Sequence, residues 1–152
     1  MKNVLLTIMS LLFIASLSSC VYDPDAVPRN SIESPNGLVI DLEWYTGGSA
    51  AQSTGEVDLD LILTTGPEFV DASETADYEQ VRIENFYRDG TYLISILYFA
   101  GNRNADYSLF ARGTNSADNI IIDGTIHPED QGVFVDVIEV IKTGTRYQVN
   151  PL

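Results

Sequence analysis

The 152-residue chain has one cysteine, one histidine, one tryptophan, and 8 lysines and arginines against 22 aspartates and glutamates. Each scarcity excludes something. The lone cysteine, Cys20, has no partner for an intramolecular disulfide. The lone histidine, His127, is too few for a zinc site, which draws on several His or Cys ligands. A Ser-His-Asp arrangement would have to use His127, yet no Gly-x-Ser-x-Gly elbow occurs. Followed by Pro128, His127 reads instead as the end of a strand entering a turn, since the residue before proline is held extended. A formal net charge of −14 repels phosphate backbones and anionic headgroups, so no nucleic acid partner is expected. Nor is there a run of about 20 apolar residues, the length a membrane-spanning helix needs.

The opening segment does have an apolar stretch, from Val4 to Leu17, preceded by Lys2 and followed by Ser18 and Ser19. Basic, apolar and small-residue parts in that order read as a secretory signal peptide over residues 1–19. The segment ends Leu17-Ser18-Ser19-Cys20, which resembles the lipobox of bacterial lipoproteins. That resemblance implies cleavage before Cys20, a diacylglyceryl thioether on its sulfur and often a further acyl (palmitate-type) chain on the new amine. Two or more acyl chains hold a protein stably on a membrane without help from charge. Val21 is not the aspartate that resembles an inner-membrane retention signal, which points to the outer membrane. Asp23 and Asp25 partly resemble the acidic signals that export Bacteroidetes lipoproteins to the cell surface.

Residues 20–36 comprise the lipidated cysteine and a stretch with Pro24, Pro28 and Pro35 and no apolar periodicity. This reads as a flexible tether, long enough to hold a domain roughly 50 Å from the bilayer at about 3.1 Å per residue. From Gly37 the pattern changes. Leu38, Ile40, Leu42 and Trp44 alternate with Asp41 and Glu43, and Val57, Leu59, Leu61 and Leu63 alternate with Asp58 and Asp60, the period of half-buried strands. The segment between them, residues 46–56, has three glycines and no large apolar residue and reads as a loop.

Residues 80–87 and 91–99 flank Arg88-Asp89-Gly90, which predicts a hairpin; residues 105–112 then complete a three-strand meander. Further strands are expected over Asn119–His127, Val133–Lys142 and Arg146–Val149. The run from Val133 to Ile141 is apolar on both faces apart from Asp136 and Glu139, which places it centrally in a sheet. No helix is predicted. A hydrophobic content of 45% is too high for a disordered acidic tail, so residues 37–152 are expected to form one all-β domain, an antiparallel β-sandwich (jelly-roll or Ig-like) of about eight strands.

Leu42-Glu43-Trp44, Val57-Asp58-Leu59-Asp60-Leu61, Gly90-Thr91-Tyr92-Leu93-Ile94 and Ala105-Asp106-Tyr107-Ser108-Leu109 together resemble secreted bacterial β-sandwich modules of the pre-peptidase C-terminal type. The resemblance covers about Leu38 to Arg112. It implies a jelly-roll-like accessory domain, mostly non-catalytic and sometimes calcium-binding.

Two ligand chemistries suit the residues. Calcium takes six to eight oxygen ligands, and Asp58 with Asp60, Asp41 with Glu43, and the group Glu68, Asp71, Glu74 and Asp77 are candidates. If the first two strands are neighbours, Asp41, Glu43, Asp58 and Asp60 share one face; without a cation they form a solvated acidic face, since no Asp-x-Asp-x-Asp-Gly loop occurs. Sugar rings are the second chemistry. Trp44, Tyr45, Tyr87, Tyr92 and Tyr98 are available for stacking, and Tyr45 and Tyr87, on polar faces or near turns, are the better candidates because Trp44 shares the core face. The expectation is therefore a non-catalytic binding or structural envelope lipoprotein with a glycan or protein partner. The alternatives are a glycan-binding accessory lipoprotein of a polysaccharide-uptake system, or a hydrolase using two carboxylates.

Overall fold

A computed structural model describes residues 30–75, 78–114 and 118–152. Cys20, the leader, most of the tether and Asp77 lie outside the described residues. The described residues form an all-β antiparallel sandwich of ten strands and one short helix. In chain order the strands are β1 (Ser31–Glu33), β2 (Leu38–Tyr45), β3 (Val57–Thr65), β4 (Glu68–Ser73), β5 (Glu79–Ile83), β6 (Gly90–Gly101), β7 (Ala105–Gly113), β8 (Asn119–Ile126), β9 (Phe134–Thr143) and β10 (Arg146–Pro151). The larger sheet runs β1-β10-β9-β6-β3-β4 and the smaller β5-β2-β7-β8.

The alternating pattern decides which side chains face inward. Leu38, Ile40, Leu42 and Trp44 of β2 meet Leu59, Leu61 and Leu63 of β3 and Ile94, Ile96 and Tyr98 of β6 between the sheets. The Trp44 indole N–H donates to the Val57 carbonyl at 3.0 Å, so the core tryptophan buries no unpaired donor. As expected from its two apolar faces, β9 lies inside the larger sheet, between β10 and β6.

Which strands are neighbours differs from the sequence expectation. Residues 80–87 and 91–99 do not pair as a hairpin: β5 joins β2 in the smaller sheet, while β6 joins β3 and β9 in the larger. The Asp89 carboxylate, read as a hairpin turn residue, instead accepts from Lys142 Nζ at 3.0 Å and from the Gly144 N–H at 2.8 Å, drawing the connection onto the β9–β10 turn. These two hydrogen bonds hold its pKa below the ordinary carboxylate range. The chain crosses sheets again from β6 to β7, so no three-strand meander forms. Gly101 makes that crossing possible. Its φ is +137°, and a Cβ there would lie 2.6 Å from the Tyr98 hydroxyl and 2.8 Å from the Glu56 carbonyl.

Two further boundaries change. Residues 46–56 are not all loop, because Ala50–Glu56 forms helix α1. Ser49 caps it by accepting from the Gln52 N–H, and Gln52 donates to Glu56 one turn on at 3.0 Å. The tether is shorter than residues 20–36, since Ser31–Glu33 pairs with β10 and buries Ile32 in the core. A single apolar residue among prolines gives no periodicity, which is why the sequence hid this strand.

One core tyrosine is poorly served. The Tyr147 ring lies beneath Lys142 Nζ, but its buried hydroxyl has no hydrogen-bond partner among the described residues, and burial pushes its pKa up to about 12. Tyr147→Phe removes the orphan oxygen and keeps the ring. The expected result in urea denaturation is a gain of about 1 kcal/mol, the desolvation cost of one unpaired hydroxyl; a loss of that size would mean the hydroxyl has a partner.

Candidate functional site

The turn between β3 and β4 and the connection from β5 to β6 meet at one end of the sandwich. Between them is a cleft of about 380 Å³ lined by Thr65, Glu68, Phe69, Val70, Phe86, Tyr87, Arg88 and Tyr92. Local structure fixes its walls. A turn at Glu84–Tyr87 is closed by the Tyr87 N–H donating to the Glu84 carbonyl at 3.1 Å. Asn85 donates its amide to the Pro35 carbonyl at 2.9 Å, so the turn is tied to the chain entering β2. The buried Tyr92 donates its hydroxyl to the Arg88 carbonyl at 2.7 Å, and Thr65 donates its hydroxyl to the Thr91 carbonyl at 2.9 Å.

On this frame the aromatics are graded from core to solvent. Tyr92 is core; Tyr87 stacks on it at 6.5 Å between ring centroids with 19° between planes. Phe86 meets Tyr87 edge-on at 5.1 Å and 85°. Both are favoured aromatic geometries, so Tyr87 is held rigidly and Phe86 rests on it. Phe86 is nevertheless 78% exposed, and Phe69 across the cleft is 67% exposed. Arg88 Nη2 meets Glu68 Oε2 at 2.8 Å between two well-exposed side chains. Such a pair adds little stability, but it leaves a polar and neutral rim beside the rings. Glu68 is the single carboxylate among the lining residues, and it is the one held by Arg88.

The remaining sequence candidates fall elsewhere. Tyr45, at the far end of β2 from this cleft, lines a shallow groove with Tyr107, Asp106, Ser108 and Asp123. Tyr45 and Tyr87 therefore do not form one platform. Tyr98 and Trp44 are core. His127 precedes the 3₁₀ turn at Pro128–Asp130, where its N–H donates to the Asp130 carboxylate at 3.1 Å, the strand-end role expected of it.

The proposed four-carboxylate face does not form, because β2 and β3 belong to different sheets. Asp41 and Glu43 line a groove on the outer face of the smaller sheet. Asp41 is already satisfied there: Arg112 Nη2 lies 2.7 Å away, and Tyr78 and Gln80 donate to its other oxygen. Asp71 accepts from the backbone N–H groups of Ala72 and Arg82. Asp58 and Asp60 line a separate cleft with Glu74, Leu97 and Phe99. Asp60 is only 6% exposed, and its pKa is raised to about 6, first by burial and then by the charges of Asp58, Glu79 and Glu74. Among the described residues, no three carboxylates converge closely enough to hold a metal ion as they stand.

The sequence reading missed Phe69 and Phe86. Each lies beside turn residues, Phe69 after Gly66-Pro67-Glu68 and Phe86 after Asn85, where a large apolar side chain has no core to enter. An aromatic embedded in turn chemistry is the signal that would have found them. Comparison with protein-family models, with curated proteins and with solved structures finds no match.

Proposed function

We propose that the chain is a lipid-anchored envelope lipoprotein of the outer membrane, held through Cys20 and acting as a non-catalytic binding module whose ligand site is the Phe69–Phe86 cleft. The single observation that carries this reading is the pair of strongly exposed phenylalanines, Phe69 and Phe86, that line one cleft with the stacked Tyr87 and Tyr92. Exposed aromatic rings gain free energy only when a partner covers them, and apolar walls with a few placed polar groups are the common makeup of ligand sites.

Neutral glycans are the ligand class the cleft fits best. The apolar C–H faces of a pyranose match ring surfaces such as Phe86 and Phe69, while the Arg88–Glu68 pair offers both donors and acceptors to hydroxyls without net charge. An acidic domain disfavours anionic polymers, which leaves uncharged ones. Glycoside hydrolysis needs two carboxylates about the scissile bond, and one paired Glu68 favours binding over turnover. On this reading the protein serves a polysaccharide-uptake system as an accessory that retains its ligand.

A glycan array with the domain from Asn30 onward, followed by turnover assays on the hits, tests the proposal. The expected result is retention of neutral oligosaccharides without cleavage, and loss of roughly tenfold or more in affinity in Phe86→Ala, as for a central aromatic contact. Binding that survives Phe86→Ala and Phe69→Ala unchanged would overturn it.

A further inference from the structure

The acidic cleft lies at the opposite end of β3 from the aromatic cleft and is independent of it. Its volume is about 270 Å³, and Asp58, Asp60, Glu74, Leu97 and Phe99 line it. Four observations distinguish it from a solvated acidic face. Asp60 is more than nine-tenths buried, yet its carboxylate makes no hydrogen bond or ion pair among the described residues. Asp58 Oδ1 is buried without a hydrogen-bond partner among the described residues. Behind them Glu79 is fully buried; one of its oxygens accepts from the Thr75 N–H and hydroxyl, the Ser73 hydroxyl adds a further interaction with the carboxylate, and burial nonetheless raises its pKa. No lysine or arginine among the described residues pairs with any of these four carboxylates.

The apolar side of the cleft is also constructed. In the β3–β6 pairing Asp58 lies opposite Ala100 and Leu59 opposite Tyr98, so Phe99 is the extra residue of a bulge. Bulges re-aim side chains, and here Phe99 is more than half exposed at the cleft wall. Phe134, also more than half exposed, lies opposite Leu97 in the β6–β9 pairing, and Val133 precedes it. Gln131 donates to the Phe99 carbonyl at 3.0 Å and Gly132 to the Tyr98 carbonyl at 3.0 Å, which fixes the loop carrying Val133 against this edge.

We infer that this cleft is a docking site for a partner protein, receiving a lysine or arginine side chain among Asp58, Asp60 and Glu74, with apolar neighbours of that residue covering Phe99 and Phe134. Charge complementarity selects the occupant. Unpaired buried carboxylates are costly, and a cation removes the cost. A metal ion requires ligands converging on one point, which these carboxylates do not. An ammonium or guanidinium instead directs separate N–H groups to separate oxygens, and so tolerates the spread. The rise of the Asp60 pKa to about 6 agrees with a site that lacks its counter-charge.

Capped tripeptides Phe-Lys-Phe, Phe-Arg-Phe and Phe-Gln-Phe, titrated against the labelled domain by NMR, test the inference. The cationic peptides are expected to move the amide signals of Asp58, Asp60, Leu97, Phe99 and Phe134, with affinity falling as salt is raised. Phe-Gln-Phe against the wild type, and Phe-Lys-Phe against Asp60→Asn, are each expected to bind roughly tenfold more weakly. Phe99→Ala provides a second variant that leaves the carboxylates in place and should weaken all three peptides. Equal binding of the neutral peptide would overturn the inference. So would movement of the same signals by calcium alone with none by the cationic peptides, which would make the cleft a metal site.

Discussion

Asp60→Asn is expected to leave stability unchanged near pH 3 and to raise it by about 3 kcal/mol above pH 7. The sign follows from the direction of the shift. In the unfolded chain Asp60 ionises near 3.8, whereas in the folded protein burial and the neighbouring carboxylates raise its pKa to about 6. The contribution of the protonated folded group is complete below pH 3.8 and is lost as the pH rises through 6. Asparagine has no proton to lose, so the variant escapes this loss. Urea denaturation of both proteins across pH 3 to 8 gives the difference directly, and parallel stability curves would show that Asp60 is not held in a strained charged state. The same residue connects fold to function. The charge is destabilising because burial and the neighbouring carboxylates oppose it, and a cationic ligand that bound there at free concentration L would add stability by RT ln(1 + L/Kd).

Tyr98→Ala is expected to be the most damaging single truncation on the path between the sheets, at about 3–5 kcal/mol, the range for removing a buried aromatic ring. Tyr98 is fully buried, pairs across to Leu59 and lies beneath Gly101. Its hydroxyl donates to the Arg103 carbonyl at 2.9 Å and accepts from the Arg103 N–H at 3.3 Å. One side chain therefore fills the core and ties down the chain where it leaves the larger sheet for the smaller. Tyr98→Phe separates the two roles: it keeps the ring and is expected to cost about 1–3 kcal/mol through the two backbone groups of Arg103 left unpaired. Equal losses in the two variants would mean that the hydroxyl, and not the ring, holds the crossing.

The inward faces were legible because a period of two is local. Leu38, Ile40, Leu42 and Trp44 needed only one another to be read as a buried stripe, and all four are buried. Strand partnership is not local. Arg88-Asp89-Gly90 carries the composition of a hairpin turn, yet the Asp89 carboxylate is taken by Lys142 and Gly144, more than fifty residues away in sequence. The Asp41, Glu43, Asp58 and Asp60 face was conditional on β2 and β3 being neighbours, and that condition, which is not local either, fails because the two strands belong to different sheets. Helix α1 was invisible for a different reason. Its one buried side chain is Ser53, whose hydroxyl accepts from the Thr46 N–H, so the helix is attached by hydrogen bonds where an apolar stripe would normally be.

The candidate sites divide along the same line. Tyr87 was recognisable as an aromatic beside a turn, and Asp58 and Asp60 as carboxylates on one strand face. What the sequence could not supply was company: Phe69 comes to Phe86 and Tyr87 from the start of β4, and Glu74, Glu79 and Phe99 come to Asp60 from a loop, another strand and a bulge.

The central claim, that the Phe69–Phe86 cleft is where this protein binds its ligand, is tested most directly by NMR shift mapping with the strongest neutral oligosaccharide from the array. The expected outcome is movement of the ring and amide signals of Phe69, Phe86, Tyr87 and Arg88, absent in Phe86→Ala. Shifts gathered at Tyr45 and Tyr107, with the cleft unmoved, would contradict the claim.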